Sequence, residues 1–542
     1  MYNNLRQGKG QWRGSFAWAP EILIYPHARP AALDVSASVT MVTTSKSMDS
    51  PEGNFSFELK ANIYQSDAQN NVFPEVPEVR DLEALQAGDW VSIAFANSQR
   101  VWTSMVGVID EIEPSRGAGA QGAVKRVWRI SGRDFGRIFT VGEFITLPGG
   151  MNDPRLLLGA AKTALGVLAY LQDTGPGQVI EVLTSWLLGR ASKVVPNAGF
   201  ETMPNILKLP QSLPTTTADG KPAPAGGPFG NWLNTNHIDL WLPGIAVPNT
   251  LMETGNVGET TYYSMLKKWS NDGLNELFFD LRPPEPWRHE EGAEVGSNVF
   301  DVVPCVVLRE RPFPVSEGLL DHRDPAHRPG HRWANLPWTE IDERDLMTDT
   351  AAKSDSERFN YFLFSSALSS GIDSRYVFAN EGQDPWLGMP AISQESVQLH
   401  GFRRIQVDSP YLPPAVSTKQ VPDANGKVDT MVSTVTRWTH ILRDWYGLNH
   451  EMLSGTLTLN QIHPGIRIGE RINLQREEGA VNFTFYTESI SHEWRQGGKG
   501  SQSSSTTIRV TRGYKGHPNN PPTAPAGPED VLKPLSAQAV QS

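Results

Sequence analysis

Gly455-Thr456-Leu457-Thr458-Leu459 leads into the turn His463-Pro464-Gly465-Ile466-Arg467-Ile468-Gly469-Glu470-Arg471-Ile472. Two strands then follow, Phe483-Thr484-Phe485-Tyr486-Thr487-Glu488-Ser489-Ile490-Ser491-His492-Glu493-Trp494 and Thr506-Thr507-Ile508-Arg509-Val510-Thr511-Arg512-Gly513. Apolar residues recur at alternate positions and Pro/Gly punctuates the turn, so the stretch reads as a compact β unit. A helix ending in Arg443-Asp444-Trp445-Tyr446 enters it. Nothing in the pattern gathers a catalytic set. The unit is organised by its turns.

The other end of the chain has the same character. Ile22-Leu23-Ile24-Tyr25 is apolar, and Val35 to Met41 and Asn54 to Lys60 alternate. Trp90-Val91-Ser92-Ile93-Ala94-Phe95 follows the Gly88-Asp89 turn, with Val91, Ile93 and Phe95 expected inward. Met105 to Ile112 and Val127 to Phe135 complete about six short strands in roughly 120 residues, the pattern of a small β-barrel or sandwich. Gly132 and Gly136 flank Arg133-Asp134 and let the last strand bend sharply. Arg133 and Asp134 are expected to tie that bend down by hydrogen bonds.

Three motifs at this end are similar to the first tube-forming domain of phage baseplate hub proteins: Gly88-Asp89-Trp90-Val91, Val106-Gly107-Val108-Ile109-Asp110-Glu111-Ile112, and Ile130-Ser131-Gly132-Arg133-Asp134-Phe135-Gly136-Arg137. The terminal β unit resembles the C-terminal barrel of the same family. Asn275-Glu276-Leu277-Phe278-Phe279-Asp280 and Leu308-Arg309-Glu310-Arg311-Pro312-Phe313 also resemble hub segments.

Between the two ends, residues 150–190 read as two helices, the first opened by Asn152 or Asp153 with Pro154 at its first position. Residues 191–260 are Pro-, Gly- and Asn-rich, and read as a peripheral insertion. Tyr263, Leu266 and Trp269 are helix-spaced, and Asn271-Asp272-Gly273 is expected to stop that helix. Val302 to Phe313 reads as a strand whose Pro304 makes it an edge or bulged strand. Residues 314–358 are loop-rich, and Phe359 to Phe364 reads as a strand. Asp429 to Tyr446 carries Val432, Val435, Trp438, Ile441, Leu442 and Trp445 on one helical stripe. No heptads or fixed-period repeats are visible. The two β-rich ends raise the question of structural duplication, which the sequence leaves open.

The 542 residues imply two to four domains. Hydrophobic content of 39% supports real cores, and a mean hydropathy of −0.36 with no long apolar run argues against a membrane helix. The N-terminal residues lack the apolar core of a secretory signal. One cysteine, Cys305, excludes an intramolecular disulfide and a cysteine-based zinc cluster within one chain. A reducing cytoplasm is the expected place of synthesis. The formal charge of −11 speaks against general nucleic-acid binding and suits a conduit that DNA must slide through.

Chemistry-bearing patterns are few. Gly117 to Gly122 matches G-x-G-x-x-G but joins two strands, so a hairpin loop is expected rather than a dinucleotide site. His322, His327 and His331 have ligand chemistry, yet prolines and arginines interrupt them, and an exposed loop is the favoured reading. His492 with Glu493, and His440 with Asp444, are read as structural groups, as is Cys305 in its apolar strand. A carboxylate pair for glycan cleavage stays open at this stage. The aromatics, 16 of them Trp, are read first as core and second as subunit anchors.

The hub resemblance implies an α+β, predominantly β fold: two small tube-type β-barrel domains with helical and loop-rich insertions, assembled as a trimeric ring. The expected division is an arm at 1–19, a first barrel at 20–150, an insertion at 151–275, a β-rich middle domain at 276–395, a second barrel at 396–515 that includes helix 429–446, and a flexible tail at 516–542. It implies a structural, non-enzymatic component of the virion tail baseplate, assembled in the host cytoplasm. It would join a hexameric tail tube to a trimeric central spike around the DNA channel. Its expected partners are two further copies of itself, the tube protein, the spike, the tape-measure protein and other baseplate proteins. DNA would pass without sequence-specific binding. No catalytic residue, cofactor or metal is expected. Structural and interface candidates are Trp90, Arg133, Asp134, Phe135, Trp438, Trp445, Tyr446, Tyr486, Trp494 and Arg512. The strands around Trp90–Phe95 and Phe483–Trp494 would line or brace the ring. The alternatives are a tail-associated cell-wall hydrolase and the hub of a related contractile injection or secretion system.

Overall fold

The computed structural model describes residues 18–26, 32–60, 82–97, 101–118, 124–141, 143–144, 239–241, 260–270, 272–282, 303–312, 333, 336–366, 391–392, 394–409, 421–422, 428–429, 439, 442–443, 445–463, 465–475, 482–496 and 502–518. Among them the chain is predominantly β, as its alternating stretches require. The expected helices at 150–190, the His322–His331 loop, His440, Trp438 with most of the 429–446 helix, and the tail beyond 518 lie outside the described residues.

The first unit contains β1 (Ala19–Tyr25), β2 (Leu33–Asp34), β3 (Val39–Ser47), β4 (Asn54–Lys60), β5 (Trp90–Ala96), β6 (Val101–Ala118) and β7 (Val124–Asp134). Phe55, Phe57 and Leu59 of β4 are buried while the intervening Ser56 and Glu58 are half-buried, the period of two that the sequence carries. Ala118 at the end of β6 lies opposite Val124 at the start of β7, so most of the glycine-rich run falls in sequence between the two paired strands.

The chain continues through β8 (Glu143–Phe144), β9 (Asp239–Trp241), β10 (Thr260–Thr261), β11 (Asn275–Arg282) and β12 (Val303–Glu310). The helix Tyr262–Trp269 starts where the Thr261 hydroxyl accepts from the Ser264 N–H at 3.2 Å. β12 is the middle strand of a three-stranded sheet between β11 and β9, not an edge. Pro304 is tolerated because β9 pairs only with Cys305 to Val307, so the missing N–H falls outside that ladder.

The second unit contains β13 (Trp338–Asp342) and β14 (Leu346–Asp349). After an insertion carrying β15 (Tyr361–Ser366), β16 (Ala391–Ile392), β17 (Arg404–Ser409), β18 (Val421–Pro422) and β19 (Val428–Asp429), it resumes with β20 (Leu453–Leu459), β21 (Arg471–Gln475), β22 (Phe483–Gln496) and β23 (Gln502–Lys515). The two units share one curled 13-stranded sheet, ordered β14-β20-β23-β22-β3-β4-β7-β6-β5-β1-β2, with β13 and β21 branching from β22. Each unit keeps its own hydrophobic core, one around Phe57, Ile93 and Ile130, the other around Leu457, Ile472 and Ile508.

The units are two copies of one five-stranded motif. A left-handed glycine opens β5 (Gly88, φ 98°) and β21 (Gly469, φ 71°). Gly88 N–H donates to Ile109 O and Ile109 N–H returns to Asp89 O; Gly469 N–H donates to Thr487 O and Thr487 N–H returns to Glu470 O. The long hairpins then skip one residue at the same place, Asp110 in β6 and Glu488 in β22. Outside them, Phe55 and Phe57 face Gly132 and Ile130, as Gly455 and Leu457 face Val510 and Ile508. The next strands, β3 and β14, both slip register at corresponding positions, between Val39 and Met41 and between Leu346 and Thr348. This alignment places Thr43-Thr44-Ser45-Lys46-Ser47 on Thr350-Ala351-Ala352-Lys353-Ser354.

Candidate functional site: the joint between the two units

β22 is long enough to serve both units. Its start, Leu474-facing Phe483 to Arg471-facing Tyr486, pairs with β21; its continuation, Ser489 to Arg495, pairs with β3 of the first unit, Ser489 opposite Ser47 and Arg495 opposite Met41. Trp494 crosses this joint and is buried in the first unit's core. His492 sits edge-on to Phe95, ring centroids 5.7 Å apart.

β11 lies beneath the joint and is buried along its whole length. Alternation sends Phe279 toward Phe135 and Phe139, at 6.1 and 4.9 Å between centroids, and Phe278 into the second core. Its charged residues, Glu276, Asp280 and Arg282, lie on the Phe278 face. Arg309 Nε donates to Glu276 Oε1 at 2.6 Å, and its Nη2 to Gly469 O at 2.6 Å and Tyr486 Oη at 3.1 Å. Tyr486 in turn donates to the Glu276 carboxylate. Burial, with the Glu276 charge adding to it, pushes the Tyr486 phenol well above its ordinary value. Arg282 pairs with Glu470 and donates to Ile468 O at 2.7 Å. Buried charges require such pairing, since their desolvation is costly. The result is that the Gly469 turn, which starts β21, is fixed by arginines reaching up from β11 and β12.

The Arg133–Asp134 bend is tied as the sequence implied. Arg133 Nε donates to Asp110 at 2.7 Å and its Nη1 to Glu52 at 2.7 Å. Asp134 Oδ1 accepts from Gly136 N–H at 2.9 Å, and Lys46 Nζ lies 2.8 Å from Oδ2. Burial is the larger influence on Asp134 and raises its carboxyl, while Lys46 pulls the other way. Gly136 is required by close approach rather than by a left-handed φ. A Cβ there would meet Pro51 O at 1.8 Å.

Trp445, Tyr446, Tyr486 and Arg512 form one cluster. The Arg512 guanidinium lies 3.4 Å from the Trp445 ring centroid and 5.5 Å from that of Tyr446, and donates to Trp445 O and to Asn449 Oδ1. Burial pulls it down to about 10. Arg512 has φ 56°, where the β22–β23 ladder shifts register between Thr484 and Tyr486. Trp90 is buried in β5, at the position that Arg471 holds in β21. The sequence candidates thus separate into the bend, the Arg512 cluster, Trp90 and Trp494. Sequence reasoning missed Lys46, Glu276, Asp280, Arg282, Arg309, Arg467 and Glu470 as a group. The hub-like motifs specified Asp280 and Arg309, and the hub-like terminal unit contained Arg467 and Glu470, without giving any of them a partner.

A cavity of about 20 Å³ lies at the joint, lined by Thr44, Lys46, Ser104, Asp280, Arg467 and His492 among others. It has room for a water and not for a substrate. His492 is neutral there: burial, then Arg467 and His463, pull it down to about 3. The Thr506 hydroxyl donates to Gln461 O at 3.0 Å, so it accepts from His492 Nδ1 at 3.0 Å and from His463 N–H at 2.9 Å. Among the described residues no cluster of His, Cys, Asp and Glu could hold a metal ion, and no helix is long and apolar enough to cross a membrane.

This is the construction of a protein that joins β units through their strand backbones, with charges committed to holding the joint. No family model and no curated protein matches the sequence. Among solved structures, the chain is similar to a tail protein from Neisseria meningitidis MC58 (10% identity, 91% of this chain and 96% of that one, TM-score 0.39). It is similar to the 43 kDa tail protein of prophage MuSo2 from Shewanella oneidensis (11% identity, 91% and 98%, TM-score 0.39). A third is a Francisella PdpA–VgrG complex (9% identity, 95% and 60%, TM-score 0.36). At these scores the likenesses carry no argument about function.

Proposed function

We propose that this chain is the hub subunit of a phage-tail baseplate: a non-enzymatic homotrimer that joins the hexameric tail tube to the trimeric central spike and encloses the DNA channel. The supporting observation is the duplication. One chain holds two copies of a β unit, already joined side by side in a curled sheet. Three chains then present six like units to a tube and three like subunits to a spike. Cyclic closure of this kind also covers strand edges that would otherwise stay open. In this reading β5 and β22 brace the ring wall. The charges committed to holding the joint fit a structural part. The net charge of −11 would let DNA pass without adhering.

Light scattering on the eluting peak of the purified protein tests the reading. The expected species has three times the 59.8 kDa chain mass, and electron micrographs show a threefold ring with a central hole. A monomer at micromolar concentration, without tube or spike present, overturns it.

A further inference from the structure

The duplication specifies how one subunit meets the next. Within the chain, the far half of β22 accepts β3. Its counterpart is the far half of β6, from Glu111 onward, which among the described residues has β7 on one side and no strand on the other. The counterpart of β3 is β14, which ends the sheet's order. Both rims are exposed: Glu111, Glu113, Pro114 and Ser115 on one, Thr348, Asp349, Ala352 and Lys353 on the other. Met347, at the β14 bulge, is 61% exposed, one of few large apolar side chains left open among the described residues.

We propose that the β6 rim, residues 111–117, pairs antiparallel with residues 348–354 of a second copy of this chain, in the register of the internal joint. This rests on the ring reading above. Internally, Ile490 lies opposite Lys46. Carried across the duplication, Ile112 lies opposite Lys353 and Glu113 opposite Ala352, so an Ile–Lys pair recurs at the same place.

The backbone agrees with this register. Pro114 lacks an N–H and lies opposite Trp128 of β7, so its nitrogen is tolerated where it points to the open rim. The register sets it against Ala351, whose own N–H is already held by Asp349 Oδ1 at 2.8 Å. That rung lacks a bond on both sides and strands no donor. Its neighbour Ala352 exchanges both backbone bonds with Ser454. Toward the new partner, Ala352 therefore forms a non-hydrogen-bonded pair, the closest kind, with Cα atoms about 4.5 Å apart.

Disulfide trapping in the assembled full-length protein tests the register. The double variant Glu113→Cys, Ala352→Cys should cross-link between chains on mild oxidation, because that Cα distance suits a disulfide. Glu113→Cys with Thr350→Cys, two residues away on the same face, should cross-link at least tenfold more slowly. The native Cys305 is buried and serves as an unreacting background. A ring in light scattering with no preference for the first pair overturns the proposed register while leaving the hub reading standing. Absence of any ring removes both.

Discussion

Glu276 is the residue on which the buried network turns. It takes the Arg309 guanidinium and the Tyr486 hydroxyl, and without it Arg309 would remain charged in a dry interior. Glu276→Ala should cost about 3–5 kcal/mol of stability, the usual penalty for orphaning one member of a buried pair. Urea unfolding reads it directly; a loss under about 1 kcal/mol would mean that the pair is solvated. The sequence offered Glu276 only as a strand residue in a hub-like segment. Its partners lie 33 and 210 positions away along the chain, and no local pattern encodes such a meeting. By contrast the ties at Arg133 and Asp134 were legible, because the two glycines beside them announce a bend that must be held.

At the scale of the element, β22 does the joining and also carries an acid sensitivity. An unfolded histidine binds its proton near pH 6.5. Folded His492 resists to about 3 and His463 to about 4, each because it is buried. Between pH 6.5 and 5 the unfolded chain therefore binds more protons, so stability falls as pH falls. The slope is up to about 1.4 kcal/mol per pH unit for each histidine. Melting temperatures across that window should drop, and His492→Gln with His463→Gln should flatten the trend; an unchanged slope in the double variant would refute the assignment. The strands themselves were readable from alternation, but the second half of β22 looked no different from the first. That it leaves its own unit and pairs with β3 follows from tertiary register alone. The same reason hid Pro304's place in a central strand: the length of the β9 ladder is not written near the proline.

For the whole molecule, truncation after Pro518 is the informative change. Pro518 O accepts from Arg471 and from Tyr514 at 3.1 Å, and we propose that the residues beyond it meet the spike or a neighbouring baseplate protein. The shortened chain should melt within about 2 °C of the full one, as expected when a deletion spares the buried contacts. It should form the same proposed trimer as the full chain and fail in baseplate assembly; wild-type assembly would refute the role. The predominance of β structure and the two β-rich ends were legible from composition and period. Their duplication was not. Equivalent strands are separated by different distances along the chain because the second copy is interrupted between β14 and β20, so no fixed period survives. Two short echoes remain: Thr43 to Ser47 with Thr350 to Ser354, and Gly88-Asp89-Trp90-Val91-Ser92-Ile93 with Gly469-Glu470-Arg471-Ile472-Asn473-Leu474.

The proposed contact joins two unlike edges, β14, which ends the sheet's order, and the free reach of β6. If subunits add in the proposed way, growth contains no built-in stop, since every subunit gained leaves one acceptor and one donor unfilled. Curvature alone terminates the series. A substitution that flattened the sheet would therefore not yield monomers; it would yield fibres.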